Sequence, residues 1–310
     1  MRVEALAPWL LLAAVGASSC VDDDWGPEKL GLGHIDARAR ALENGRLTYA
    51  QYCAGCHGEQ GDGNGPAARF LDPRPRDFRA GRLKFASVPA GSAPHDEDYL
   101  RTINAGLPGT AMPAFNLVPE NAKRDLIAYV RTFYTGEREE PAPQFSLPED
   151  PFAGDPKAAI ALGERVYHGA ASCHSCHPAY VTKPELAKAM ESFQLSVEGD
   201  FREDLYEAVA KDSEWGAPIT PPDFLRDRVK SGSGRRELAR VIANGVGGTA
   251  MPTWGPTLPP EQLWGLAYYV ESLVALRGTP RAAELRRALL AQPAWTPPQP
   301  QPPASQEPKP

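Results

Sequence analysis

The sequence predicts an all-α protein made of two tandem copies of one domain, and three repeated features predict it. The pentapeptide GTAMP occurs at residues 109–113 and again at 248–252, so Met112 and Met251 lie 139 residues apart in a chain with four methionines. A C-x-x-C-H signature precedes each copy, as CAGCH at 53–57 and CHSCH at 173–177. Segments predicted to be helical open and close each unit, and such self-similarity at a fixed spacing indicates duplicated structural units.

The C-x-x-C-H signature is the attachment site of a c-type haem. Its cysteines form thioethers with the haem vinyl groups, the adjoining histidine is the proximal iron ligand, and a distal methionine is a common sixth ligand. Zinc sites and thiol redox motifs also use paired cysteines, and methionines are usually core residues, but the duplication of both signatures favours haem ligation. We therefore predict two haem c groups, held by Cys53, Cys56, His57 and Met112, and by Cys173, Cys176, His177 and Met251.

The first unit begins with the segment DARARALENGRLTYAQYC, whose good helix formers lead directly into the first haem motif. Its last helix is predicted to begin after Pro119, since proline favours the start of a helix. Apolar residues at i, i+3, i+4 and i+7 from Leu126 to Phe133 share one face of this helix, and Gly136 is expected to end it.

The second unit repeats this plan, with an opening helix in AAIALGERVYHGAASC and a closing helix in PPEQLWGLAYYVESLVALRG. Gly45 precedes Tyr49 by four residues in the first opening helix, and Gly163 precedes Tyr167 by four in the second. Each glycine therefore shares a helix face with its tyrosine and allows another helix to approach closely. A short helix in RAAELRRALLAQ precedes a tail rich in Pro and Gln, which cannot pack a core.

These features divide the chain into six predicted segments. They are a signal peptide at 1–19, a tether at 20–33, a first domain at 34–138, a linker at 139–156, a second domain at 157–278, and a short helix with a disordered tail at 279–310.

The N-terminal segment MRVEALAPWLLLAAVGASSC has one basic residue, an apolar stretch and then small residues, the layout of a secretory signal peptide. Four of the five cysteines belong to the haem motifs, so Cys20 needs a separate role. We expect Cys20 to be lipidated and to anchor the chain at the periplasmic face of a bacterial membrane; a secreted protein with a spare thiol is the alternative. The net charge of −6 argues against a nucleic-acid partner.

Between haem motif and methionine, PRDFRAGRLK at 75–84 aligns with PPDFLRDRVK at 221–230. Each half resembles a class I c-type cytochrome domain, and the whole chain resembles a dihaem cytochrome c. The resemblance implies a small α-helical fold that wraps one covalently bound haem per domain. It also implies that a proline carbonyl after the motif accepts the other ring N–H of the histidine. Pro66 is the match in the first domain, and no counterpart follows His177 in the second.

Basic residues in the two aligned segments are candidates to bind the haem propionates, because guanidinium groups pair bidentately with carboxylates. The matched candidates are Arg82 with Arg228 and Lys84 with Lys230. A solvated loop is the alternative, and the unmatched arginines of 69–79 could instead form a docking patch for an acidic redox partner.

With both irons six-coordinate, electron transfer between redox proteins is the expected function. A quinol-oxidising complex, a terminal oxidase or a periplasmic dehydrogenase would supply or receive the electrons. The alternatives are a fixed haem subunit of a membrane complex and a dihaem cytochrome c peroxidase, which needs a distal face that can open.

The second unit has 19 extra residues between its histidine and methionine, either a docking insertion or a covering helix. Three histidines outside the haem motifs, His34, His95 and His168, are expected at the surface.

Overall fold

The computed structural model describes residues 36–137, 139–197 and 200–296. Over these ranges the chain is mostly helical, which confirms the all-α prediction, with one small two-stranded hairpin. The helices and strands are α1 (Ala37–Tyr52), α2 (Ala54–His57), α3 (Asp96–Ala105), α4 (Glu120–Val130), α5 (Pro156–His168), α6 (Lys183–Glu191), β1 (Lys211–Asp212), β2 (Pro218–Ile219), α7 (Arg235–Asn244), α8 (Pro260–Leu276) and α9 (Pro280–Leu290). None of the described helices is both long and apolar enough to span a membrane. The predicted signal peptide, the tether, Cys20, His34 and the tail from 297 onward lie outside the described residues.

In the first repeat, α1 and α4 meet at Gly45. A methyl group at this position would overlap the backbone oxygen of Asp125, so only glycine lets the two helices come this close. Beside the crossing, the rings of Tyr49 and Tyr129 lie 5.6 Å apart, and the Tyr49 hydroxyl donates to the carbonyl of Gly58 at 2.7 Å. The buried residues around this point are Tyr49, Tyr99, Leu100, Leu126, Ile127 and Val130.

The second repeat has the same crossing between α5 and α8. A methyl group at Gly163 would overlap the backbone oxygen of Gly265. The rings of Tyr167 and Tyr269 lie 5.5 Å apart, and the Tyr167 hydroxyl donates to the Pro178 carbonyl at 3.0 Å. In both repeats the crossing therefore fixes the end of the opening helix, where the haem motif begins, against the closing helix.

The two repeats pack directly on each other, and from Ala41 onward the chain forms one compact unit. The amide of Gly247, in the second repeat, donates to the carbonyl of Lys84 in the first at 2.9 Å, and the amide of Ala90 donates to the carbonyl of Asn244 at 2.8 Å. The linker is extended and bonded to both sides; for example, the amide of Phe145 donates to the Ser87 carbonyl at 3.1 Å.

Two local predictions need correction. Helix α4 ends at Val130 and continues as a 3-10 turn, Arg131–Phe133, so Gly136 does not end it; a tighter final turn is a common way to satisfy the last carbonyls. In the insertion, the described residues of the acidic segment 196–216 form no helix. Instead the guanidinium of Arg202 donates to backbone carbonyls, which holds the segment in an irregular path; the acceptors are His174, His177, Asp204, Leu205 and Glu207.

Candidate haem sites

The two histidines predicted to be proximal ligands are oriented by backbone carbonyls. Nδ1 of His57 lies 3.0 Å from the carbonyl oxygen of Arg76, and Nδ1 of His177 lies 2.9 Å from that of Pro222. A carbonyl can only accept, so Nδ1 carries the proton in both rings and the Nε2 lone pair is left for a metal. Arg76 and Pro222 occupy the same position in the two aligned segments, which supplies the partner that the sequence left unassigned for His177.

The role expected for Pro66 is therefore wrong. Pro66 is exposed, and its neighbours bind the outer side of the haem motif: the amide of Gly65 donates to the Cys56 carbonyl at 3.1 Å and that of Ala67 to the Gly55 carbonyl at 3.0 Å. These bonds hold the loop against the backbone of α2, away from the ring nitrogen of His57.

A phenylalanine in each aligned segment stacks on the proximal histidine. The rings of Phe78 and His57 are 4.5 Å apart with planes 21° apart, and those of Phe224 and His177 are 4.9 Å and 15° apart. The preceding aspartate shapes the turn in both cases, since Asp77 accepts from the Arg79 amide at 2.9 Å and Asp223 from the Leu225 amide at 3.0 Å. The shared letters P-x-D-F thus encode a carbonyl acceptor, a cap and a stacking ring.

The two GTAMP loops have the same hydrogen bonds. The hydroxyl of Thr110 accepts from the amide of Met112 at 3.1 Å and donates to the Leu107 carbonyl at 2.8 Å. The hydroxyl of Thr249 does the same for Met251 at 3.1 Å and for Val246 at 2.8 Å.

A glycine also opens each loop in the left-handed region, Gly109 at φ 78° and Gly248 at φ 70°. This conformation is easily reached by glycine and rarely by other residues. The repeated pentapeptide therefore encodes one loop conformation that presents a methionine.

In the first repeat, these groups face one cavity of about 800 Å³, within the range of ~300–1,000 Å³ that cofactor sites occupy. Cys53, Cys56, His57 and Met112 all line it, together with apolar side chains such as Leu126 and Ile127. The size, the apolar wall and the thiol, imidazole and thioether donors fit haem c. We call this space the first cavity.

Burial sets the protonation of these donors. It is the largest factor lowering the pKa of His57 and of His177, which favours the neutral imidazole that binds metals. Burial also raises the pKa of the Cys53 thiol to about 11 and that of Cys173 to about 12. The four cysteines of the motifs are unpaired.

The family model for the cytochrome C oxidase, cbb3-type, subunit III matches the chain twice, at residues 40–130 and 158–270, once in each repeat. The chain belongs to this cytochrome c family. The cytochrome is also similar to a solved chain of the reducing HAO-like protein complex of Kuenenia stuttgartiensis. The two share 29% sequence identity with a TM-score of 0.61, over 75% of this cytochrome and 96% of that chain. No curated protein matches it.

Arg82 was expected to pair with a haem propionate, but in the cytochrome it has a protein partner. Its guanidinium pairs with the carboxylate of Glu139 at 2.8 Å. Arg228 is exposed, and its Cβ lies 3.0 Å from where a methyl group on Gly109 would be, so its role toward a propionate stays a prediction.

Six cationic side chains line the first cavity, among them Arg76, Lys84 and Lys230. Burial lowers the pKa of Arg76 to about 10. Burial, and then the charges of Arg76 and Lys230, lower the pKa of Lys84 to about 8. A partly buried group of like charges is stabilised by an anionic ligand, so these three side chains fit haem propionates better than Arg82 does. Lys230 belongs to the second repeat, so the first cavity is built by both repeats.

Two histidines expected at the surface of the cytochrome are packed inside it. His168 is fully buried; its Nδ1 donates to the Glu164 carbonyl at 2.8 Å, and its Nε2 accepts from the Tyr180 amide at 3.2 Å. With both nitrogens occupied, His168 is a structural residue. His95 is half-buried and caps α3, and its Nε2 lies 2.8 Å from the Ala142 carbonyl of the linker. The Tyr180 amide and the Ala142 carbonyl lie too far along the chain for the local sequence to indicate them.

Proposed function

We propose that this cytochrome is a dihaem electron carrier. The observation that carries the proposal is the repetition, in both domains, of a neutral proximal histidine and a methionine loop with the same hydrogen bonds. Bound haem c supplies a one-electron Fe(III)/Fe(II) couple, and ligation by histidine and methionine raises its reduction potential. Occupied axial positions leave no site for a substrate, which favours electron transfer over catalysis.

Backbone and side-chain groups of the protein orient the predicted iron ligands. The carbonyls of Arg76 and Pro222 fix the proton on Nδ1 of the proximal rings, and such partners tune a metal site through its ligands. Phe78 and Phe224 fix the ring planes. The threonines of the GTAMP loops hold the methionine backbones in the conformation that would present each thioether to an iron.

We further propose that the chain works at the periplasmic face of a bacterial membrane, anchored through lipidated Cys20. Its partners would be a redox protein donor and acceptor, among them a quinol-oxidising complex, a terminal oxidase or a periplasmic dehydrogenase. The exported N-terminal pattern and the haem motifs support this location.

The proposal is tested by titrating the purified, haem-loaded protein optically and exposing the reduced form to carbon monoxide. We expect two low-spin haems of relatively high potential that do not bind carbon monoxide. A haem that binds it would indicate a labile or absent methionine ligand and would support the peroxidase alternative.

A second candidate function is a fixed haem subunit of a larger redox complex. The name of the matching family describes an oxidase subunit, and the similar solved chain belongs to a protein complex. Membranes washed at high salt distinguish the two. A subunit would stay with a defined set of other proteins after detergent extraction, whereas a free carrier would be extracted alone.

A further inference from the structure

The insertion of the second repeat reaches the first cavity. Strands β1 and β2 pair antiparallel, with Lys211 opposite Ile219 and Asp212 opposite Pro218, and Gly216 takes the left-handed conformation of the turn at φ 73°. The tip of this hairpin, with Trp215 at its centre, lines the first cavity together with His57 and Met112. One of the two candidate haem sites is therefore lined in part by the other domain.

Two cations of the first repeat hold the indole of Trp215. The guanidinium carbon of Arg76 lies 4.1 Å from the ring centroid, and Nζ of Lys84 lies 5.0 Å from it. Cations at such distances are attracted to the indole face. Arg76 also supplies the carbonyl that orients His57, so Trp215 packs on the residue that positions the proximal ligand.

The same indole touches the methionine loop of the second repeat. A methyl group on Gly248 would overlap the six-membered ring of Trp215, and the Glu214 amide donates to the Gly248 carbonyl at 3.2 Å. Gly248 opens the pentapeptide that ends in Met251 and Pro252. One side chain thus packs against the first cavity on one side and the loop of the second distal ligand on the other.

We propose that Trp215 is the residue through which electrons pass between the two haem sites. This inference rests on the proposed function. With haem c bound at both sites, one electron would leave the ferrous iron of one site and reduce the ferric iron of the other, and no bond, proton or atom would change place. An aromatic ring packed between the first cavity and the Gly248 end of the second methionine loop shortens the gap that the electron must tunnel through.

The test measures electron exchange within the half-reduced, haem-loaded protein by proton NMR of the ferric haem methyl groups. These signals separate the two sites even where their optical bands coincide, and the exchange rate follows from exchange spectroscopy or, where signals merge, from line width. Dilution separates exchange within one molecule from exchange between molecules. We expect Trp215→Leu to slow the concentration-independent exchange several-fold and Trp215→Phe to slow it less.

The matched control is Trp295→Leu. Trp295 is also a half-exposed tryptophan of the second half of the chain, but it stacks on Phe201 with ring centroids 5.0 Å apart and is not among the residues that line the first cavity. We expect its exchange rate to equal that of the wild type. Redox titration of each variant checks that a change in rate does not come only from a change in driving force.

An exchange rate in Trp215→Leu equal to that of the wild type, with both haems low-spin, would overturn the inference. If this variant does not load haem fully, Trp215→Phe carries the test, and an unchanged rate there counts against the inference. Failure of the proposed function is distinguishable, since it would show in the wild type as a haem that is high-spin or binds carbon monoxide.

Discussion

The ring of Phe78 lies stacked on that of His57, 4.5 Å away and 21° from parallel, and the equivalent pair in the second repeat has the same arrangement. The hydrogen bond at Nδ1 fixes the tautomer of the imidazole, and the stacking restricts rotation of the ring. Ring plane and tautomer are therefore set by two successive parts of one short segment, the carbonyl of Arg76 and the side chain of Phe78.

Replacing Phe78 with Leu should release the proximal ring. We expect a loss of about 1 kcal/mol in the free energy of unfolding from the aromatic pair, and a shift in the midpoint potential of the first haem alone. Denaturant unfolding and redox titration measure the two effects. The control is Phe70→Leu, because Phe70 is 74% exposed. A potential that shifts equally in both variants would show that the stacking has no specific role.

Replacing Thr110 or Thr249 with Val should loosen the corresponding methionine loop. The hydroxyl lost in each variant makes two hydrogen bonds, and each such bond contributes ~1 kcal/mol. We expect the methionine to be displaced from iron at a lower denaturant concentration than in the wild type. The measurement is the loss of the long-wavelength absorption band of methionine-ligated ferric haem. Serine variants should restore the wild-type behaviour. Thr132→Val, at an exposed helix end, should leave both loops unchanged; loss of a methionine ligand there would contradict the account.

Replacing Gly45 or Gly163 with Ala should force the crossing helices apart. Alanine normally stabilises a helix relative to glycine by roughly 0.5–1 kcal/mol, whereas overpacking costs about 1–3 kcal/mol. Because the added methyl meets backbone atoms, which cannot turn aside, we expect net destabilisation in thermal or denaturant unfolding. Gly154→Ala is the control, since nothing lies within 4 Å of its added methyl. Equal stability of all three variants would show that the crossings are loose.

Replacing Arg76 with Gln should lower the midpoint potential of the first haem. Removing a positive charge near the iron stabilises the ferric state, which carries one more positive charge than the ferrous state. We expect a fall of tens of millivolts, where roughly 59 mV corresponds to a tenfold change in the equilibrium constant for one electron. Arg82→Gln should change the potential little, because Arg82 pairs with Glu139. A larger fall in potential in Arg82→Gln than in Arg76→Gln would instead support the propionate role that the sequence predicts for Arg82.

The buried His168 should make the protein less stable in acid. Burial lowers its pKa to about 3, against ~6.5 in the unfolded chain. Above pH 6.5 both states are neutral, and as the pH falls from 6.5 toward 3 the unfolded state binds a proton that the native state does not. Stability should therefore fall by up to about 1.4 kcal/mol per pH unit.

Denaturant unfolding between pH 7.5 and pH 4.5 measures this slope. We expect His168→Gln to be less stable than the wild type at pH 7.5, because it loses a buried hydrogen-bonding ring, and to show a shallower fall in acid. If the free energy of unfolding fell equally steeply with pH in both proteins, protonation of His168 would not be the cause of the instability in acid.

The sequence predicts those parts of the fold and site that depend on local pattern. The opening helix of the first repeat follows from its helix-forming residues, the closing helices follow from periodicity, and the crossings at Gly45 and Gly163 follow from the spacing of glycine and tyrosine. The haem motifs and methionine loops were visible because duplication repeats both residue type and order.

The rest depends on contacts that leave no local signal. The acceptors for the proximal histidines are backbone carbonyls, which any residue possesses, so Arg76 and Pro222 could be found only through their neighbours in the P-x-D-F repeat. The place of Trp215 depends on how the two repeats pack. The sequence shows His168 only as a polar residue; its burial is explained by its two hydrogen bonds, to the Glu164 carbonyl one helical turn earlier and from the Tyr180 amide twelve residues later.

The central claim is that each GTAMP loop gives its methionine to an iron, and near-infrared magnetic circular dichroism of the fully oxidised protein tests it most directly. The energy of the charge-transfer band distinguishes histidine–methionine ligation from histidine–histidine and from high-spin haem, and its intensity counts the haems of each kind. We predict two histidine–methionine haems per chain, with Met112→Ala and Met251→Ala each removing one. One such haem or none in the wild type, with two haems bound, would contradict the claim.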